Sequence, residues 1–351
     1  MMTCINRVCT TLLPLILLCH PSDAMKFYCN NVSCMLENLD LDEAYTFAFA
    51  YSINTTFQLT AMYVKGDIFD LTTLPNLSNL RVFVLDHSQL NSVIVKFTAE
   101  KSSLSITNTP LKTIVLHESR HLEEARIDKS LLEAIPETFF TQASLETLFI
   151  TNSLLAVIDF NPFETLPNLR HVDFSCNRIH VLHLPPTSTC CRRLISLDLT
   201  QNRLTHFNFG LLAHMNCLEV LALRRNRIAS VAIVEPIDPK PPNLTQFCTT
   251  VVRIHAYTQP HPDSTSHSRY ASLTTIDLDS NRMREANLSM FCAMPNLMEL
   301  MLSRNLLTSV TVTDGQLPAR LEALELSFNR LATADLRPLY AVKMVNVGAN
   351  Q

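Results

Sequence analysis

The side chains suited by type to metal or redox chemistry are the cysteines and one histidine-rich stretch. Cys190 and Cys191 are adjacent and lack the two-residue spacer of a zinc knuckle. His255, His261 and His267 are six residues apart, which fits no helical metal spacing. The chain has no phosphate-cradling glycine loop, no G-x-S-x-G and no H-E-x-x-H. The sequence thus offers no cofactor, no metal and no catalytic constellation, and predicts a protein that is not an enzyme. Disulfide chemistry suits the cysteines better. Apart from Cys4, Cys9 and Cys19, they are Cys29, Cys34, Cys176, Cys190, Cys191, Cys217, Cys248 and Cys292. An even set of this kind implies an oxidising compartment.

Other features agree with export. Residues 1–24 read as a signal peptide: Arg7, then an apolar run from Leu12 to Cys19 broken by Pro14, then the small residues Ser22 and Ala24 before Met25. Asn31, Asn54, Asn76, Asn243 and Asn287 head N-x-S/T sequons, the glycosylation candidates. The expectation is a secreted, extracellular glycoprotein. No later segment has eighteen continuous apolar residues, so the sequence predicts no membrane span. A net charge of −4 and a pI near 6.3 argue against general affinity for nucleic acid or anionic membrane.

These residues must be positioned by whatever elements the chain forms, and a periodic pattern decides which. Leu194-Leu197-Leu199-Asn202-Leu204, Leu218-Leu221-Leu223-Asn226-Ile228 and Leu321-Leu324-Leu326-Asn329-Leu331 are copies of LxxLxLxxNxL, the leucine-rich-repeat signature. First positions fall at Leu59, Leu80, Lys101, Leu122, Leu145, Leu169, Leu194, Leu218, Leu273, Leu297, Leu321 and Val342. Positions four and six leave a short strand on one face, so Leu197 and Leu199 point inward and Asp198 outward. Stacked coils then share one core that no single coil could build. The predicted fold is an α/β solenoid, a leucine-rich-repeat horseshoe with a parallel concave β-sheet. Residues 25–58 are read as an N-terminal cap region and 59–351 as about twelve repeats, the last truncated. Position nine is Asn from Asn177 onward but Ser88, Thr109, Ser130 and Ser153 before it. The first third should therefore be less regular, because a hydroxyl makes fewer bonds than an amide.

The repeats order the cysteines. Cys29 and Cys34 bracket the start of the repeats, where a disulfide loop would serve as a cap. Cys191 and Cys217 precede consecutive repeats by similar offsets, Cys190 is the nearest candidate partner for Cys176, and Cys248 and Cys292 flank an insertion; the connectivity stays open. That insertion, about 235–268, is rich in Pro, His and Ser. It is either a degenerate repeat or solvated loop, or a partner-binding protrusion. At the other end, Val342-Val345-Val347-Asn350 begins another repeat just before Gln351, so the sequence is read as a fragment of a longer chain.

The run Cys190-Cys191-Arg192-Arg193-Leu194, with Leu197-Asp198-Leu199, Asn208-Phe209, Leu211-Leu212-Ala213 and Leu218-Glu219 after it, resembles a stretch of the secreted leucine-rich immune proteins of mosquitoes. The resemblance covers about forty residues. It implies circulation in haemolymph and binding of complement-like thioester proteins or of another leucine-rich-repeat protein. That family also carries a cysteine-rich region and a C-terminal coiled coil. This sequence has no heptads and no cysteine after Cys292, so the family's disulfide-linked dimer is not carried over.

The resulting expectation is a protein-binding scaffold, in innate-immune recognition or complement-like factor binding, acting through outward positions two, three, five, seven and eight of each repeat. Partner-binding candidates are Arg224, Arg225, Met298, Glu299, Met301, Arg304, Glu325 and Phe328. Met298, Met301 and Phe328 are apolar at positions meant for solvent, a mark of interfaces. The alternatives are a truncated ectodomain of a cell-surface receptor or adhesion protein, and an extracellular enzyme inhibitor using the same face.

Overall fold

A computed structural model describes residues 24–30, 32–42, 57–75, 77–183, 190–233, 270–312, 317–332 and 337–350. The expected signal peptide, four of the sequons (Asn31, Asn54, Asn76, Asn243), Cys248 and the insertion's 235–268 lie outside these residues. The chain divides into two compact units, residues 1–154 and 155–351.

In the first unit, β1 (Lys26–Cys29) is antiparallel to β2 (Ser33–Glu37), and Cys29 and Cys34 are joined by a disulfide. From β2 onward all pairing is parallel, through β3 (Gln58–Met62), β4 (Val82–Asp86), β5 (Ser102–Thr107), β6 (Leu122–Asp128) and β7 (Thr147–Thr151). The register aligns Cys34, Leu59, Phe83, Leu104, Ala125 and Leu148. All six face the core at repeat position four.

This register corrects the sequence reading in two places. Leu59 pairs with Phe83, so it stands at position four of a coil that starts three residues earlier, not at position one. A leucine suits both positions, and the misreading follows from that. Stacking also begins at β2, inside the stretch read as a cap; Cys34 fills the place of a core leucine there, at 1% exposure. The lower regularity expected of this unit shows as a register shift between Ser102 and Ser103, but not in strand length. Its parallel strands run five to seven residues, against three in the second unit. On the returning side, Ile68–Asp70, Ser92–Val95 and Thr113–Leu116 form a parallel sheet of their own. Coils of about 21 residues with strands on both sides stay extended.

The second unit repeats the plan with shorter strands: β8 (His171–Asp173), β9 (Ser196–Asp198), β10 (Val220–Ala222), β11 (Thr275–Asp277), β12 (Glu299–Met301), β13 (Ala323–Glu325) and β14 (Met344–Asn346), each parallel to the next. The register Val172–Leu197–Leu221–Ile276–Leu300–Leu324–Val345 keeps every position four in line. Leu197 and Leu199 are 2% and 0% exposed, as their alternation with Asp198 demands. The returning side holds short strand pairs and 3-10 turns such as Phe209–Leu212 and Leu288–Ala293. There is no α-helix among the described residues. Two groups of rings, Phe160–Phe163–Phe174 and Phe207–Phe209–Phe291, fill the space between sheet and return, with neighbouring ring centroids 5.1–6.4 Å apart within each group. No helix of the described residues is long and apolar enough to cross a membrane.

A column of asparagines fastens each coil of the second unit to the next. Asn202 Oδ1 accepts from the Ile179 N–H of the preceding coil (2.9 Å). Its Nδ2 donates to the carbonyls of Phe174 (2.9 Å), Leu199 (3.0 Å) and Thr200 (3.3 Å). Asn226, Asn281, Asn305 and Asn329 repeat this pattern. It continues unbroken between the repeats at Leu218 and Leu273: β10 pairs directly with β11, and Asn281 Oδ1 accepts from the Ile228 N–H at 3.0 Å. In the first unit the shorter hydroxyls reach a different donor. Ser88 Oγ accepts from the Val64 N–H (3.0 Å) and donates to the Asp86 carbonyl (3.0 Å).

Candidate protein-binding face

The outward side of the second unit's sheet carries the sequence-predicted candidates. Two backbone devices set their directions. First, position eight is left-handed in every described coil, with φ between +46° and +58°, and glycine stands at none of these positions. In the second unit they are Cys176, Gln201, Arg225, Ser280, Arg304, Phe328 and Ala349. The conformation costs an L-residue about 1–2 kcal/mol. It turns the chain so that the next residue, usually Asn, points back into the column. Second, position five supplies a turn-starting acceptor. Asp173, Asp198, Asp277 and Asn346 each accept the N–H two residues on, at 2.7–3.0 Å. These side chains, read from the sequence as solvated face, hold the turn. Their signal was legible as an aspartate or asparagine two before the turn, present in four of the seven repeats of this unit.

The candidates do not merge into one apolar patch. Met298, 37% exposed, lies just ahead of β12, whose last residue is the half-buried Met301. Phe328, 54% exposed, lies beyond the end of β13. At about 3.3 Å per residue, Met298 and Met301 are on the order of 10 Å apart along the strand direction. The Arg304 guanidinium stands 5.1 Å from the Phe328 ring centroid, a cation–π pairing between adjacent coils. Around Met301 the register places Asp277 and Glu325 on the flanking strands, and Glu299 two residues earlier on the same face. Asp279 accepts the Ser303 N–H at 2.7 Å. Its pKa is raised by burial first and then by the negative charge of Asp277; the Ser303 bond and Arg224 pull it back, and Glu325 adds to the rise. Arg224 keeps a buried Nε with no hydrogen-bond partner. Exposed Arg225 occupies the left-handed row. At the next coil Lys343 pairs with Glu322 at 2.6 Å.

The other chemistry-bearing residues lie elsewhere. Cys190 and Cys191 are buried thiols in hydrogen-bond contact, and that contact together with burial drives the Cys191 thiol upward. No disulfide joins Cys176 to Cys190 or Cys191 to Cys217 in this structure; Cys217 is exposed whereas Cys191 is buried in the core. Cys292, on the returning side, is disulfide-bonded to a residue outside the described set. Asn287, the one sequon within the described residues, caps the turn Leu288–Ala293 by accepting the Ser289 N–H at 3.1 Å. Among the described residues no three His, Cys, Asp or Glu side chains gather as a metal site.

Comparison with known proteins agrees with this geometry. Residues 271–331 match the family model described as leucine rich repeat. The chain is 27% identical over 128 residues to the rat leucine-rich repeat-containing G-protein coupled receptor 5, and 24% identical over 245 residues to the zebrafish transforming growth factor beta activator LRRC33. These alignments cover 35% and 68% of this chain but only 14% and 35% of the relatives' own lengths. Among solved structures, the Arabidopsis receptor kinase HAESA, in complex with the peptide hormone IDA and the co-receptor SERK1, superposes with a TM-score of 0.54 at 16% identity, covering 93% of this chain and 52% of that one. The LRIM1/APL1C complex gives 0.52 at 19%, covering 85% and 52%. At such identities the likeness establishes the fold, and the fold is the leucine-rich-repeat solenoid.

Proposed function

We propose that this chain is a secreted, non-enzymatic protein-binding scaffold of innate-immune recognition, and that it holds an extracellular protein partner against the sheet face of its second unit. The observation that carries this reading is the outward face of β11–β14, where Met298, Met301 and the Arg304–Phe328 pair are displayed on a rigid sheet. Exposed apolar groups beside an arginine are the combination that dominates interface energetics. The forty-residue resemblance to the mosquito immune proteins supports the immune role. A complement-like thioester protein or a second leucine-rich-repeat protein is the partner that it suggests. The alternative of a receptor ectodomain draws on the similarity to the rat receptor over 128 residues.

The test is capture from extracellular fluid, with wild type and the double variant Met301→Lys, Phe328→Lys compared at equal loading. Both sites are at least partly exposed, so folding should be intact by circular dichroism. Recovery of the partner should fall more than tenfold. Unchanged recovery by the folded variant would move the site off this face, and deletion of residues 235–268 would be the next variant. Export is tested separately: secreting cells should release a glycosidase-sensitive product. An unglycosylated, retained product starting at Met1 would refute it.

A further inference from the structure

We infer that the segment which docks on this face is cationic: an extended stretch of the partner that places a lysine or arginine over Met301. The inference rests on the reading of this face as the binding surface and adds the chemistry of its occupant.

Three observations converge. Met301 is half-buried and apolar, while the outward positions next to it on its own strand and both neighbouring strands are Glu299, Asp277 and Glu325. An apolar floor rimmed by carboxylates fits the aliphatic stem and charged head of a long basic side chain. The cations of this region are already engaged or stand at the rim. Arg304 lies on Phe328, and Lys343 is paired with Glu322 at the next coil. Arg224 and Arg225 occupy positions seven and eight, at the turn rather than on the strand. With Asp277, Asp279, Glu299 and Glu325 set against Arg224, the centre of the face is left with net negative charge. Finally, the face is a regular sheet of parallel strands in register, about 4.8 Å apart, a surface across which an extended chain can lie.

The choice of a basic rather than an acidic occupant follows from desolvation. An acidic side chain set among Asp277, Glu299 and Glu325 would be both repelled and stripped of water. A basic one replaces lost hydration with carboxylate contacts.

The experiment uses fluorescein-labelled peptides of alternating lysine and leucine, and of alternating glutamate and leucine, titrated with the full chain by fluorescence polarisation at near-physiological salt. The lysine peptide should bind at least tenfold tighter than the glutamate peptide. Asp277→Asn with Glu325→Gln should weaken it at least tenfold; the asparagine retains the acceptor that Asp277 offers to the Asp279 N–H. A control with the same charge change away from this face, Glu133→Gln with Glu285→Gln, should bind as wild type. Equal affinity for both peptides, or equal losses in the two double variants, overturns the inference as mere bulk charge. Partner capture separates the two levels. If Met301→Lys, Phe328→Lys abolishes capture while Asp277→Asn, Glu325→Gln leaves it intact, the surface stands and the cationic occupant falls. If neither pair affects capture, both fall.

Discussion

Truncating Asn202 to alanine gives a cost that can be worked out bond by bond. Four hydrogen bonds disappear, but they are not equal. The carbonyls of Phe174 and Leu199 each keep a second donor, Asn177 Nδ2 at 3.0 Å and Asn226 Nδ2 at 2.9 Å. The Ile179 N–H has no such reserve, since Asn202 Oδ1 is its acceptor in a buried setting. One orphaned buried donor costs about 1–3 kcal/mol, and each further lost bond adds about 0.5–1.5 kcal/mol. The expected destabilisation is about 3 kcal/mol, or roughly two decades in the folding equilibrium. The comparison that gives this meaning is Asn350→Ala. Asn350 makes the same kinds of bond to Leu331 N–H, Leu326 O and Val347 O, but it is only half-buried. Water can replace what is lost, and the cost should be about 1 kcal/mol. Urea unfolding followed by circular dichroism, with linear extrapolation, measures both. If the two variants lose equal stability, or Asn202→Ala loses less than about 1 kcal/mol, the column is not a buried polar spine and the reasoning fails.

Leu199→Asp should cost several kcal/mol by placing an unpaired carboxylate in the core; Asp198→Ala should cost about 1 kcal/mol, because that carboxylate accepts the Thr200 N–H at 2.7 Å. Similar thermal shifts for the two would contradict the register. Asp86 sits at a pKa of about 2: burial raises it, but hydrogen bonds from Thr107, Asn108 and His87 outweigh burial. Its folded value lies below the unfolded 3.8, so its contribution of about 2 kcal/mol is present above pH 4 and lost as pH falls through 2; Asn108→Ala should shrink this acid-dependent loss in a pH series of denaturant melts. Asp279 has the opposite sign, since its folded pKa is raised. Asp279→Asn should melt no lower than wild type at pH 7, with the difference closing as pH falls towards the unfolded value; a lower melting temperature at pH 7 would show that the carboxylate is compensated.

The joint spacing of positions one, four, six and nine made the strands of the second unit readable, because three apolar residues followed by an asparagine fit one register only. Leu59 was misplaced because leucine serves two positions equally well and only pairing with Phe83 separates them. Cys34 was invisible as a core residue for the reverse reason: a cysteine near a terminus reads as a cap. The hydroxyls Ser88 and Ser153 suggested less regular coils, whereas the inner strands there are longer and the returning side of the first coils also forms a sheet. On the candidate face, residue types gave the exposed Met298 and Phe328 and the half-buried Met301. What they did not give was the stacking of Arg304 on Phe328 or the carboxylates gathered at Met301, which depend on which coils become neighbours.

The left-handed row has a consequence for how such a surface can diversify. Seven consecutive coils of the second unit place Cys176, Gln201, Arg225, Ser280, Arg304, Phe328 and Ala349 in one backbone conformation. The stack imposes the dihedral angles and leaves the side chain unspecified, so thiol, amide, guanidinium, hydroxyl, aromatic ring and methyl are all tolerated on the same rung. Fold and repertoire are thereby uncoupled. New side chains can be tried along this ribbon without re-solving the folding problem, much as characters are changed on a fixed line of type.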